Sequence, residues 1–306
     1  MPKFEKKIER SHEKDCNRAR DFFFNLNYKE AERLFLKCYK FYVRKNQLKK
    51  AYEALEKYII SLINMGHNQK ALPKVNEILE YSISTKNKKF KAFAYGSKGI
   101  ILKSMGNFAE SLNITKKAKR LFKELNNQED LKRTYVNIGN TYYFQGNYLS
   151  SLKNYKKAEK ICIENNILNG LSGVYQFIAF CYLGLNSLEK FKKYNEKIFE
   201  FFNHVTDLQN QAEILNNLCI PSFYSNEISE DLITFLVRLL KDCNKLNLNT
   251  QKVKTLRNLG GISMNQKKYS EAKNYLNQAL DISEGLNFEI DKAYIYNNIG
   301  QVFYRE

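Results

Sequence analysis

One pattern recurs through the chain with a period of forty residues. The stretch NIGNTYYFQGNYLSSLKNYKKAEK at 137–160 returns as KGIILKSMGNFAESLNITKKAK at 98–119 and as LGGISMNQKKYSEAKNYLNQAL at 259–280. It returns again as RARDFFFNLNYKEAERLFLKCY at 18–39, and NIGQVFYRE at 298–306 opens one more copy. With Gly139 as marker, the equivalent residues are Ala19, Ile59, Gly99, Gly139, Ala179, Cys219, Gly260 and Gly300. All but Ile59 are Gly, Ala or Cys. A fixed period of this length means stacked supersecondary units, none of which can bury its apolar face alone.

Each unit reads as two helices. In the fourth, Tyr135, Ile138 and Tyr142 recur at helical spacing, and after a break Leu152, Tyr155 and Ala158 continue the stripe. The break is Gly146-Asn147, suited to a helix end that needs a left-handed residue. Gly66-His67-Asn68, Gly106-Asn107 and Asn265-Gln266 stand at the equivalent places. Glycine inside a helix costs about 1 kcal/mol relative to alanine. The reading that accounts for Gly139 is a close helix crossing, with Gly139 and Ala158 small so that two antiparallel helices can approach. Only three prolines occur in 306 residues, which favours an all-α chain.

The remaining bulk features exclude more than they assign. The first fifteen residues, MPKFEKKIERSHEKD, are charged throughout and contain no apolar segment of the secretory kind. No run of about 18 apolar residues exists, so no membrane span is expected. Cys16, Cys38, Cys162, Cys181, Cys219 and Cys243 are widely spaced, form no C-x-x-C pair, and read as reduced thiols of a cytoplasmic protein.

The repeat residues resemble the tetratricopeptide repeat (TPR) family. Its pattern is a small residue in helix A, an aromatic three later, then small, large and small residues in helix B. The fourth unit supplies Gly139, Tyr142, Ser151, Tyr155 and Ala158; the first supplies Ala19, Phe22, Ala31, Phe35 and Cys38; the seventh supplies Gly260, Ser263, Ala272, Leu276 and Ala279. The forty-residue period, with no proline after helix B, looks like the long-repeat branch that includes kinesin light chains, LGN-type adaptors and bacterial TPR peptide receptors. Phe191 and Asn195 depart from the pattern in the fifth unit, and Pro221 interrupts helix A of the sixth. The resemblance implies a right-handed superhelical solenoid forming one domain over 1–306. It has seven helix-turn-helix repeats (about 8–47, 48–87, 88–127, 128–167, 168–207, 208–248 and 249–288) and a terminal helix at 289–306. That last helix keeps Ile295, Ile299, Val302 and Phe303 where a terminal repeat normally turns polar. The expectation is that the natural chain continues past Glu306 or that another surface, a second copy included, covers this end.

In such proteins helix A lines the concave groove where ligands bind. The residue two before the marker should face it: Asn17, Lys57, Ser97, Asn137, Phe177, Asn217, Asn258 and Asn298. Five of these eight are Asn, whereas the chain's 36 asparagines spread evenly would give about one. Asparagine is a poor helix former, and its amide can pair with both N–H and C=O of an extended peptide. The alternative is that the amides bond to neighbouring helices and order the stack. Arg133 and Asn140 flank Asn137, Asn216 precedes Asn217, Lys254 and Arg257 flank Asn258, and Asn297 and Gln301 flank Asn298. Arg133, Lys254 and Arg257 would make the C-terminal half of the groove basic and suited to an acidic segment or a C-terminal carboxylate. Glu13, Glu53 and Glu56, with Arg20, make the N-terminal half acidic. Phe93, Ile100, Phe177 and Phe180 make the middle apolar, unless they belong to the core.

The net charge of +18 falls largely on helix B, in Lys116, Lys117, Lys119 and Arg120 and in Lys153, Lys156, Lys157 and Lys160. That face is either solvated or a track for RNA phosphates. No P-loop, H-E-x-x-H or G-x-S-x-G motif is present, and His12, His67 and His204 have no metal-ligand spacing. No enzyme, metal or cofactor is expected. The reading is an intracellular scaffold that binds a protein or peptide through an Asn ladder with basic anchors. The alternatives are a sensor module governing an effector domain beyond residue 306, and RNA binding.

Overall fold

The computed structural model describes residues 3–24, 27–168, 170–202, 211–212, 214–216, 219, 230–286 and 288–306. Asn217 and Pro221 lie outside the described residues. Among those residues all regular structure is helical. The chain divides into two compact units, Met1–Asn127 and Gln128–Glu306.

The first unit holds three helix pairs: α1 Lys3–Phe24 with α2 Tyr28–Arg44, α3 Leu48–Asn64 with α4 Asn68–Ser84, and α5 Lys88–Ser104 with α6 Phe108–Glu124. The second unit begins with α7 Gln128–Phe144, α8 Tyr148–Glu164, α9 Leu171–Gly184 and α10 Leu188–Phe202. It resumes after the sixth repeat's first helical residues with α11 Glu230–Lys245, α12 Asn249–Asn265, α13 Tyr269–Leu286 and α14 Glu289–Arg305. Helices α3, α5 and α7 start at 48, 88 and 128, in step with the sequence period.

From the second repeat on, the described helix pairs turn on one left-handed residue: Gly66, Gly106, Gly146, Asn186 and Lys267. In the fourth repeat Gly146 has φ 72°. Its N–H donates to the Tyr143 carbonyl and the Asn147 N–H donates to the Tyr142 carbonyl, both at 2.9 Å. This doubly bonded helix end satisfies carbonyls the helix leaves open. The Asn147 side chain then accepts from the Ser150 N–H at 3.0 Å, capping α8. In the seventh repeat the sequence points to Asn265-Gln266, but the structure carries α12 through Asn265 and puts Lys267 in the left-handed conformation, φ 61°. The marker step from Cys219 to Gly260 is 41 residues, so the extra residue lies ahead of Gly260, and Lys267 stands seven residues after Gly260 as Gly146 does after Gly139.

The small markers are crossings. A Cβ on Gly139 would stand 2.5 Å from Cε1 and 2.7 Å from Cδ1 of Tyr155, so the aromatic ring, rather than Ala158, occupies the space the missing side chain leaves. Ser151 donates its hydroxyl to the Gly139 carbonyl at 2.8 Å, and Ser111 does the same to Gly99 at 2.7 Å. At Gly260 the intruding group is Leu276, whose Cγ would lie 2.7 Å from the added carbon. Gly300, on α14, has nothing within 4 Å of such an atom. Its register has no helix B opposite it among the described residues.

In the first unit the core runs from Cys16, Ala19 and Phe35 through Ile59 and Leu62 to Ile78 and Ile101. In the second, one cluster centres on Tyr155, Ile178, Phe191 and Leu236, and another on Leu256, Leu276, Ile295 and Val302. Phe191, a departure from the repeat pattern, is 1% exposed: the fifth repeat substitutes a large residue and still buries it. Cys16 and Cys38 form a disulfide between α1 and α2, contrary to the expectation of six reduced thiols. They are 22 residues apart in sequence, and the antiparallel hairpin brings them face to face. Cys162, Cys181, Cys219 and Cys243 are buried free thiols.

Candidate ligand-binding faces

In the first unit, α1, α2 and α3, with Lys89 of α5, line a partly open cavity of about 550 Å³. Phe23, Phe35, Tyr42 and the Cys16–Cys38 bridge contribute its apolar lining. Asn17, Glu13, Arg20, Glu53 and Glu56 all line it, so the residues that the repeat register assigns to one end of a groove do converge. The expectation of an acidic end fails, because Lys50, Lys57 and Lys89 join Arg20 on the same walls against three carboxylates. The lysines are held by rings: Lys57 Nζ lies 5.1 Å from the centre of Phe23, and Lys50 Nζ lies 5.6 Å from that of Tyr42. Arg20 donates to the side-chain oxygen of Asn17 at 3.3 Å. Burial pushes the Tyr42 hydroxyl above its ordinary pKa; Glu13 and Glu53 push the same way and Arg20 opposes them.

The second unit carries the other amides. Asn137 on α7 is partly exposed, and its side-chain amide makes no hydrogen bond among the described residues. Asn140, one turn on, accepts from the Tyr155 hydroxyl at 2.5 Å, which ties it to the crossing at Gly139. Asn297 is exposed on α14, while Asn298 and Gln301 are partly exposed, all without a side-chain hydrogen bond among the described residues. Asn216 and Asn258 behave differently. They are 7% and 3% exposed, and Asn258 Nδ2 donates to Asn216 Oδ1 at 2.8 Å across successive A helices. That pair is spent on stacking.

Two of the three basic anchors have partners within the chain. Arg133 pairs with Glu129 at 3.0 Å and Asp130 at 3.3 Å on its own helix. Arg257 pairs with Asp291 of α14 at 3.2 Å and lies 5.1 Å from the centre of Tyr294. Lys254 has no ion-pair partner among the described residues. Of the apolar middle, two partly buried residues pack on core: Phe177 stacks on Tyr155 with centres 5.2 Å apart, and Phe93 packs against the first unit's core. On helix B, Lys116, Lys117 and Arg120 of α6, and Lys153, Lys157 and Lys160 of α8, are exposed. Lys156 instead joins Lys197 around Glu159, 3.0 and 3.4 Å away. Among the described residues no cluster of His, Cys, Asp and Glu could hold a metal ion, and no helix is long and apolar enough to cross a membrane.

Paired helices of seventeen residues, a left-handed turn and a small-residue crossing define a helix-pair repeat protein. Two stretches of it, residues 90–164 and 254–285, match family models described as tetratricopeptide repeat. No curated protein matches the chain in sequence. Among solved structures, a Rap protein complexed with competence and sporulation factor is similar to it with a TM-score of 0.65 at 13% identity, covering 89% of this chain and 75% of that one. The apo form of RapI is similar at 0.55 and 16% identity, covering 94% and 79%. NprR in complex with its cognate peptide NprX is similar at 0.54 and 13% identity, covering 93% and 82%.

Proposed function

We propose that the chain is a protein- or peptide-binding scaffold that reads an extended partner segment along its A helices. The observation that carries this reading is the set of unengaged amides. Asn137, Asn297, Asn298 and Gln301 are accessible on A helices and bond to no described side chain or backbone group. Asparagine costs a helix interior several tenths of a kcal/mol relative to alanine. An accessible amide held there without an internal partner is solvated in the free chain and open to a ligand, and a peptide backbone is one to which it offers both a donor and an acceptor. Two of the similar structures, by their own descriptions, hold competence and sporulation factor and a cognate peptide, which fits the reading.

The anchors are more selective than the sequence suggests. Lys254 offers an unpaired charge. Arg133 is 61% exposed, and exposed ion pairs of its kind are weak enough for a ligand carboxylate to displace them. An acidic segment or a free C-terminus therefore remains the partner chemistry. Asn216 and Asn258 enter as the spacer that holds two A helices in register, and Arg257 as part of the α12–α14 contact. Selection from a displayed random-peptide library, followed by titration of the winning peptide, tests the reading. Asn137→Ala or Asn298→Ala should weaken binding about fivefold, the equivalent of about 1 kcal/mol, with the melting temperature unchanged. Variants that melt earlier and bind as before would assign the amides to the stack.

The exposed lysines of α6 and of α8 favour one second reading, RNA binding. Its signature is a steep fall of affinity with salt, and binding that survives 0.5 M salt would dismiss it.

A further inference from the structure

The first unit's cavity has a different chemistry from the amides of the second unit. We propose that it binds a small dipolar ligand: an apolar body of aromatic size flanked by an ammonium and a carboxylate, the chemistry shared by a free aromatic amino acid and a short peptide.

Size comes first. About 550 Å³ lies within the range of small-molecule sites, roughly 300–1,000 Å³. The lining supplies the apolar half of such a site: Phe23, Phe35 and Tyr42 present ring surface beside the buried disulfide. Aromatic lining of this kind favours another ring or a branched aliphatic group.

Charge decides the rest. Carboxylates and cations share the walls in nearly equal number, yet Glu13, Glu53, Arg20, Lys50, Lys57 and Lys89 form no ion pair among the described residues. The chain holds the two signs apart, with Lys50 and Lys57 over rings and Arg20 on Asn17. A polyanion such as a nucleotide would meet three glutamates, and a polycation would meet four basic groups. Only a ligand carrying both signs gains from both sets of groups. Glu13 and Glu53 are the lining groups for an ammonium; Arg20 and Lys57 are those for a carboxylate. In a partly enclosed site such contacts exceed their worth at an open surface.

The test is calorimetric titration of the whole chain with four probes: L-phenylalanine, acetyl-Lys-Phe-Glu-amide, N-acetylphenylalaninamide and 3-phenylpropionate. At least one of the first two should bind ten or more times tighter than both analogues that lack one or both charges. Phenylalanine alone would identify a free amino acid as the source; the capped tripeptide alone would identify a peptide. Glu53→Gln and Lys57→Gln should each weaken that binding about tenfold, and the exposed Lys70→Gln should not. Should Glu53→Gln melt early, Glu13→Gln serves in its place. The proposal is overturned if neither dipolar probe binds, if N-acetylphenylalaninamide binds equally well, or if the cavity variants leave binding unchanged. Because every variant lies in the first unit, none of these results bears on the peptide reading tested at Asn137 and Asn298.

Discussion

Replacing Gly139 by alanine adds one methyl group at the tightest crossing of the fourth repeat. The new carbon would lie 2.5 Å from Cε1 of Tyr155, whereas carbon atoms in contact sit about 3.5–4.0 Å apart, so the ring must retreat by about 1 Å. It has little room to do so, being 1% exposed and stacked on Phe177. Overpacking of this kind costs about 1–3 kcal/mol, while the better helix propensity of alanine returns about 1 kcal/mol. The tight surroundings put the first term at its upper end, so a net loss of about 1–2 kcal/mol is expected. Gly300→Ala is the internal control. The added atom there meets nothing within 4 Å, so only the propensity gain remains. Urea unfolding followed by circular dichroism should show the midpoint falling for Gly139→Ala and rising or holding for Gly300→Ala, with equal slopes. The displaced ring also carries the hydroxyl that bonds Asn140, so Gly139→Ala should weaken any ligand that Asn137→Ala weakens. A neutral Gly139→Ala, or a destabilising Gly300→Ala, would refute the claim that these glycines exist for helix approach.

Three further outcomes follow from the contacts. Cys16→Ser, or reduction, opens a loop of 22 residues and should cost about 3 kcal/mol on the chain-entropy estimate; alkylation of the unfolded, unreduced chain should label Cys162, Cys181, Cys219 and Cys243 and spare the other two. Asp15 accepts from Lys37 Nζ at 2.6 Å, and this bond, reinforced by the lysine charge and opposed by burial, holds its pKa below the ordinary carboxylate value. A depressed carboxylate contributes stability that is fully present above its unfolded pKa and lost as pH falls through the folded one, so stability should decline below about pH 4, and Lys37→Met should flatten that part of a stability-against-pH curve. Asn258→Ala leaves Asn216 buried without the donor that now bonds it, and a loss of about 1–3 kcal/mol is expected, read as an earlier thermal midpoint; an unchanged midpoint would show that the pair is not part of the stack.

Much of this architecture could be read before any coordinates because a helix-pair repeat makes its defining contacts locally. Gly139, Ser151 and Tyr155 meet within one hairpin, and Gly66, Gly106 and Gly146 mark the turns by backbone need alone. The turn at Lys267 escaped because a lysine there carries no left-handed signal. The disulfide escaped because pairing was sought along the chain as C-x-x-C. The usable signal was geometric: Cys38 holds the small position of helix B, opposite the turn of α1 that carries Cys16.

The candidate faces were less legible, for a reason that Asn258 and Asn298 make plain. They hold the same register two residues before the marker, on A helices one repeat apart. Asn258 is buried and bonded to Asn216, whereas Asn298 is partly exposed with no such bond. Register fixes the direction in which a side chain leaves its helix; the neighbouring helix fixes what it meets. Arg257 lost its role as a free anchor in the same way, to Asp291 from the following helix. In the first unit Glu13, Arg20, Glu53 and Glu56 stood out singly, while the lysines that balance them were lost among lysines spread over the whole chain. Lys50, Glu53 and Lys57 recur at i, i+3 and i+7, the spacing of one helix face. That stripe, set beside the stripe Glu13, Asn17 and Arg20 on α1, is the pattern that marks a wall of alternating charge. A cavity lined that way selects for a ligand with two signs, and a single-signed one would lose to the groups of one sign what it gains from those of the other.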